Sequence, residues 1–177
     1  GFGRIGQALA KRCLGFEANI YVYDPFVNKQ IIETNKCNKI DFADGLNLAD
    51  FISIHMPLNK ETKNLIAKEE LKQMKENCIL VNTARGGIIN ERDLTWALTN
   101  KKIYGAGLDV FETEPPLKDN ALFQLDNVLL TPHNAALTLE CRKRMAVETC
   151  ENIAYYLTNS DRLNKNNIIN KKLLELV

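Results

Sequence analysis

Five short apolar runs, rich in β-branched residues, recur along this chain with helical patterns between them. The runs are Asn19–Tyr23, Phe51–His55, Cys78–Asn82, Tyr104–Asp109 and Val128–Thr131. Each is a strand candidate, and the spacing predicts helices over Ile5–Gly15, Lys68–Lys75, Glu91–Asn100 and about Thr138 to Leu157. Strand and helix alternating at this spacing require parallel strands joined by crossover helices. The runs are continuous rather than alternating, as expected of strands covered by helices on both faces. The expected fold is therefore α/β, a doubly wound parallel sheet. In such a sheet ligands bind outside the carboxyl ends of the strands. The positions that matter are Asp24, Met56 to Pro57, Thr83 to Arg85, Asp109 and His133.

The glycines sharpen this. Gly1, Gly3 and Gly6 form G-x-G-x-x-G at the start of a helix that begins Arg4-Ile5. The first glycine makes the tight turn, the second admits a pyrophosphate against the backbone, and the third packs helix against strand. The anion then sits on the free N–H groups of the helix N-terminus. The next strand ends in Asp24, 18 residues beyond Gly6. A carboxylate there accepts hydrogen bonds from ribose hydroxyls and repels a 2′-phosphate, so NAD is expected over NADP. The chain opens on Gly1 with no Met, and no strand precedes the glycines. It is read as a fragment, with a gap expected in its core where a central first strand would lie and low stability on its own.

Composition excludes several alternatives. The 177 residues carry 23 basic and 22 acidic side chains, for a formal net charge of +1, and no basic tract. That balance argues against nucleic acid or an anionic membrane surface as the main partner. No stretch reaches the roughly 20 apolar residues needed to span a bilayer. Five cysteines, with no C-x-x-C pair among them, argue against a disulfide framework or a zinc site, and the expected setting is a reducing cytoplasm. No metal is expected.

Six segments together carry a family resemblance. GFGRIG with YDPF, HMPLNKETKNLI, VNTARGGIINE, GAGLDVFETEPP and TPHNAALT resemble the D-isomer-specific 2-hydroxyacid dehydrogenases, with phosphoglycerate dehydrogenases and hydroxypyruvate or glyoxylate reductases the most similar members. The resemblance runs from Gly1 to about Leu157. It implies an NAD-binding domain over residues 1–157, and a tail over 158–177 that returns towards a substrate domain lying outside this sequence. It implies an oxidoreductase moving a hydride between NAD(H) and a 2-oxo or D-2-hydroxy acid. Arg85 would hold the substrate carboxylate with its planar fork. His133 would carry the proton to and from the substrate oxygen. Glu114 would bind the other imidazole nitrogen and fix its tautomer; the neighbouring Glu112 is read as a solvated loop acid. Asp109 would orient the nicotinamide carboxamide, with Gly1, Gly3, Arg4, Ile5, Gly6, Asp24, Met56, Pro57, Thr83 and Ala84 along the cofactor. His55 either contacts the cofactor or is a buried strand-end residue. The simpler reading of Arg85 is a pair with Glu91. The resemblance also implies a homodimer. Asn134-Ala135-Ala136-Leu137 stand where phosphoglycerate dehydrogenases often carry glycines, so the subgroup stays open. Two competing readings are an NAD-sensing, corepressor-like interaction protein and an inactive truncated product.

Overall fold

The computed structural model describes residues 1–158, 161–164, 168 and 170. The chain forms two compact units, Gly1–Asn134 and Ala135–Val177. In the first, six parallel strands alternate with helices. The strands are β1 (Tyr21–Val22), β2 (Asn38–Lys39), β3 (Phe51–Ile54), β4 (Ile79–Asn82), β5 (Gly105–Leu108) and β6 (Val128–Leu130). The helices are α1 (Arg4–Cys13), α2 (Lys29–Thr34), α3 (Phe42–Leu48), α4 (Lys68–Gln73) and α5 (Glu91–Thr99). The expected strands and helices are all present. β2, α2 and α3 are additions that the apolar pattern does not announce.

β3, β4, β5 and β6 pair in that order, all parallel. Their carboxyl ends are level: Ile54 pairs with Asn82, Asn82 with Leu108, and Leu108 with Leu130. The residues that follow, His55, Thr83, Asp109 and Thr131, therefore leave the sheet along one edge. α5 buries Leu94, Ala97 and Leu98, an i, i+3, i+4 stripe, in the same apolar cluster as Leu80 of β4. Each of the two leucines of α5 contributes about 1.5–3 kcal/mol on burial. A smaller cluster joins Phe2, Ala10, Val22, Ile32 and Cys37 beneath α1 and α2.

The sheet is in two pieces. β1 pairs only with β2, and that pair is separate from β3–β6. A cleft of about 670 Å³, lined by Val22 of β1 and by Ile52 and Ile54 of β3 among others, lies between them. At the cleft's end the Gly1 nitrogen donates to the Tyr23 carbonyl at 2.9 Å. On its other side a Cβ on Gly1 would fall 2.4 Å from the His55 carbonyl oxygen. β2-β1 and β3 to β6 thus take the places on either side of a central strand in the 3-2-1-4-5-6 order. This is the gap that the sequence leads one to expect.

The second unit holds α6 (Leu139–Leu157), which Thr138 caps by accepting the Cys141 N–H at 3.2 Å. Most of the expected tail over 158–177 lies outside the described residues. Among those described, no helix is long and apolar enough to cross a membrane.

Candidate active site

The glycine run opens α1 with an N-terminus that no side chain caps. Gly3 is the N-cap, its first turn contains no acidic residue, and Lys11 and Arg12 occupy the last turn. Charge along this helix is arranged to leave the positive end of the dipole available to an anion. Two glycines are fixed by close packing, since a Cβ on Gly1 meets the His55 carbonyl and one on Gly6 would lie 2.5 Å from the Gly1 carbonyl oxygen. Gly3 is different: a Cβ there would meet nothing within 4 Å. Arg4 and Ile5 are exposed beside it, Ile5 by 67%.

Asp24 follows β1 by two residues. Its Oδ2 accepts the Phe2 N–H at 2.7 Å, and Oδ1 accepts those of Phe26 and Val27 at 2.9 and 3.2 Å. Burial raises the carboxyl's pKa, but these three donors outweigh it and hold it below the ordinary aspartate range. The carboxylate is ionised and locked to the glycine loop. An uncapped helix end, open space over Gly3 and an ionised acid at the strand end fit a pyrophosphate and a ribose diol.

The β4 exit is built around Asn82, which is buried. Its Nδ2 donates to the Arg85 carbonyl at 2.8 Å, and its Oδ1 accepts the Ala84 N–H at 3.0 Å. One amide thus folds Thr83, Ala84 and Arg85 back over the strand end, with the Thr83 and Arg85 side chains exposed. The Arg85 guanidinium donates to the Ala84 carbonyl. It has no carboxylate partner among the described residues, and Glu91 is engaged elsewhere. Gly86 then touches the neighbouring loop: a Cβ on it would lie 1.7 Å from the Phe111 carbonyl oxygen. That contact sets the Arg85 turn against the loop that carries Glu114.

His133 and Glu114 are in direct contact. His133 Nδ1 lies 2.7 Å from Glu114 Oε2, and Glu114 Oε1 accepts the Phe111 N–H at 3.0 Å. The imidazole and the Phe111 N–H hold the Glu114 carboxyl below the usual glutamate range. With Nδ1 occupied, Nε2 is the nitrogen left to meet a ligand. His133 sits at φ 52, in the left-handed region that non-glycine residues adopt infrequently. Asp109 braces the turn on both sides; it is buried and donates its N–H to the Asn82 carbonyl at 3.0 Å. Its Oδ1 accepts the Thr131 hydroxyl at 2.6 Å and the Asn134 N–H at 2.8 Å, one partner on each side of His133.

His55 is half-buried, with Nε2 2.9 Å from Ser53 Oγ. Burial pushes its pKa down. Met56 is half-buried and Pro57 exposed at the same sheet edge, where the Pro57 carbonyl accepts the Thr62 hydroxyl at 2.7 Å. Asn82 and Thr131 are absent from the sequence reading of the site. The one signal for Asn82 was an amide closing an otherwise apolar strand, CILVN. Glu112 is more than a solvated loop acid, since its Oε1 accepts the Glu91 N–H at 2.8 Å. No group of three His, Cys, Asp or Glu that could hold a metal occurs among the described residues.

The model of the "D-isomer specific 2-hydroxyacid dehydrogenase, NAD binding domain" matches residues 1–135. The chain belongs to this family. It is 43% identical over 180 residues to a D-3-phosphoglycerate dehydrogenase of Methanocaldococcus jannaschii, a match covering 99% of this chain and 34% of that protein. It is also 43% identical to a glyoxylate reductase of Thermococcus litoralis, over 98% of this chain and 51% of the relative. In structure it is similar to a D-lactate dehydrogenase with NAD+ from Lactobacillus jensenii, with a TM-score of 0.84 and 30% identity, covering 93% of this chain and 52% of that one. The chain therefore spans between about a third and about half of these dehydrogenases, and what it supplies is the family's NAD-binding domain.

Proposed function

We propose that this chain is the NAD-binding, proton-transferring part of a dehydrogenase that interconverts a 2-oxo acid and a D-2-hydroxy acid. The observation that carries the reading is the His133 Nδ1–Glu114 Oε2 contact of 2.7 Å at the same sheet edge as the uncapped glycine loop. NAD bound at that loop supplies or accepts the hydride. Arg85 receives the substrate carboxylate in its planar fork, a role supported by the absence of any internal carboxylate partner among the described residues. His133 gives a proton from Nε2 to the carbonyl oxygen during reduction and takes it back during oxidation. Glu114 stabilises the imidazolium and holds the ring to one tautomer. Asp109, Thr83 and Ala84 line the nicotinamide side, Met56 and Pro57 flank the cofactor, and Gly1, Gly3, Arg4, Ile5, Gly6 and Asp24 hold the pyrophosphate and adenosine. Asp24 selects NAD over NADP, because its ionised carboxylate repels a 2′-phosphate.

The substrate is 3-phosphoglycerate or hydroxypyruvate/glyoxylate, the classes named among the relatives. The family resemblance also supports a homodimer in the cytoplasm. The test is NADH oxidation by the full-length protein with phosphohydroxypyruvate, hydroxypyruvate, glyoxylate and pyruvate. Turnover is expected with one of them, and His133→Ala is expected to lower kcat by about 10²–10⁴-fold. Near-wild-type turnover in that variant would sink the mechanism. Tight NADH binding without turnover of any of the four would favour an NAD-sensing role.

A further inference from the structure

The loop that presents Glu114 to His133 has a second anchorage, at the start of α5. Glu91 is the first residue of α5, and Glu112 lies in the loop after β5. Each accepts the other's backbone donor. Glu112 Oε1 takes the Glu91 N–H at 2.8 Å, and Glu91 Oε1 takes the Glu112 N–H. The second oxygen of Glu91 takes the Asn120 side-chain amide at 3.1 Å.

The arrangement follows from helix chemistry. The Glu91 N–H is among the first-turn donors that α5 cannot satisfy internally, and a carboxylate placed there also meets the positive end of the helix dipole. α5 is immobilised by its buried Leu94, Ala97 and Leu98. A loop tied to its first residue is therefore tied to the core. Glu114 lies two residues beyond Glu112, and its own Oε1 is held by the Phe111 N–H. The Phe111 carbonyl in turn abuts Gly86. Three consecutive anchors (Gly86 on Phe111, Glu91 with Glu112, Phe111 on Glu114) leave the Glu114 carboxylate little freedom except towards His133.

We propose that Glu91 and Glu112 form a reciprocal clasp that positions Glu114 against His133, which makes Glu91 a positioning residue for proton transfer. The inference rests on the function proposed above. A clasp of this kind acts on the orientation of a catalytic pair and not on cofactor binding, because the glycine loop and Asp24 share none of its hydrogen bonds.

The experiment uses the full-length protein and its Glu91→Ala, Glu91→Gln and Glu112→Ala variants. Steady-state kinetics with NADH and the accepted 2-oxo acid is combined with ¹⁵N NMR of the His133 ring, which reports its tautomer. Glu91→Ala is expected to lower kcat by about tenfold or more, the scale of a sub-ångström to one-ångström misplacement, with KM for NADH unchanged. The single-tautomer signature of His133 is expected to give way to a mixture. Glu91→Gln keeps an acceptor for the Glu112 N–H and is expected to restore both readouts. Glu112→Ala, at an exposed position, is expected to behave like Glu91→Ala and decides the matter if Glu91→Ala fails to fold. Unchanged kcat and an unchanged tautomer in the alanine variants would overturn the clasp. Absence of turnover in the wild type would overturn the proposed reaction, and the tautomer measurement would still decide the clasp.

Discussion

Gly3 and Gly86 hold the same residue type for opposite reasons, and the difference can be measured. A methyl group on Gly86 would be driven to 1.7 Å from the Phe111 carbonyl oxygen, a backbone atom that cannot rotate away. Gly86→Ala is expected to cost at least ~1–3 kcal/mol, read as a fall in the urea or thermal midpoint. On Gly3 the methyl meets nothing within 4 Å. Gly3→Ala is expected to change stability by ~1 kcal/mol or less, as for a poorer N-cap. It is expected to weaken NADH binding roughly tenfold, or ~1.4 kcal/mol, by NADH fluorescence titration. Equal destabilisation by both substitutions would mean that Gly3 is packed, and would remove the space assigned to the pyrophosphate. Of the two, only Gly3 could be singled out from sequence, because its neighbours lie within a six-residue motif. What Gly86 touches is 25 residues further along the chain, and Thr131 and Glu91 likewise act on partners that only the folded sheet brings near.

At the scale of elements, the five apolar runs were legible from their composition, although only β4 and β5 are covered along their length. Tyr21, Phe51 and Leu129 of β1, β3 and β6 stand in solvent, so continuous burial on both faces holds for the middle of the sheet alone. β2 is two exposed residues, Asn38 and Lys39, defined by backbone pairing with β1 rather than by any pattern. α2 and α3 bury one side chain each, Ile32 and Leu46, too few to make a stripe. An amide cap for α2 was nevertheless in the sequence, since Asn28 accepts the Gln30 N–H at 3.0 Å. The burial of β4 has a chemical signature at Cys78, the residue just before it. Burial, then the nearby Asp50 carboxylate, push its thiol up to about 11, so it is protonated at neutral pH. In native buffer a thiol reagent is expected to label exposed Cys150 and to leave Cys78 untouched until the core opens. The reagent attacks thiolate, so Cys78 is expected to stay unreactive in the folded protein even when the pH is raised from 7 to 9. Equal labelling rates at the two positions would contradict the packing of β4.

At the scale of the molecule, the two-piece sheet decides how this chain behaves by itself. β1 and β3 both present unpaired edges to the cleft of about 670 Å³, and the formal net charge of +1 supplies almost no repulsion between copies. Expressed alone, the chain is expected to self-associate as concentration rises, by light scattering or sedimentation velocity. A monodisperse monomer at high concentration would show that the edges are protected. A backbone edge reads no sequence, so the groove is a template for any extended apolar segment that can align parallel to β1 and β3. The same geometry that leaves room for one central strand lets a single added strand satisfy both edges at once, so the groove acts as a receptor that is filled by one segment and then has no facing edge left to extend.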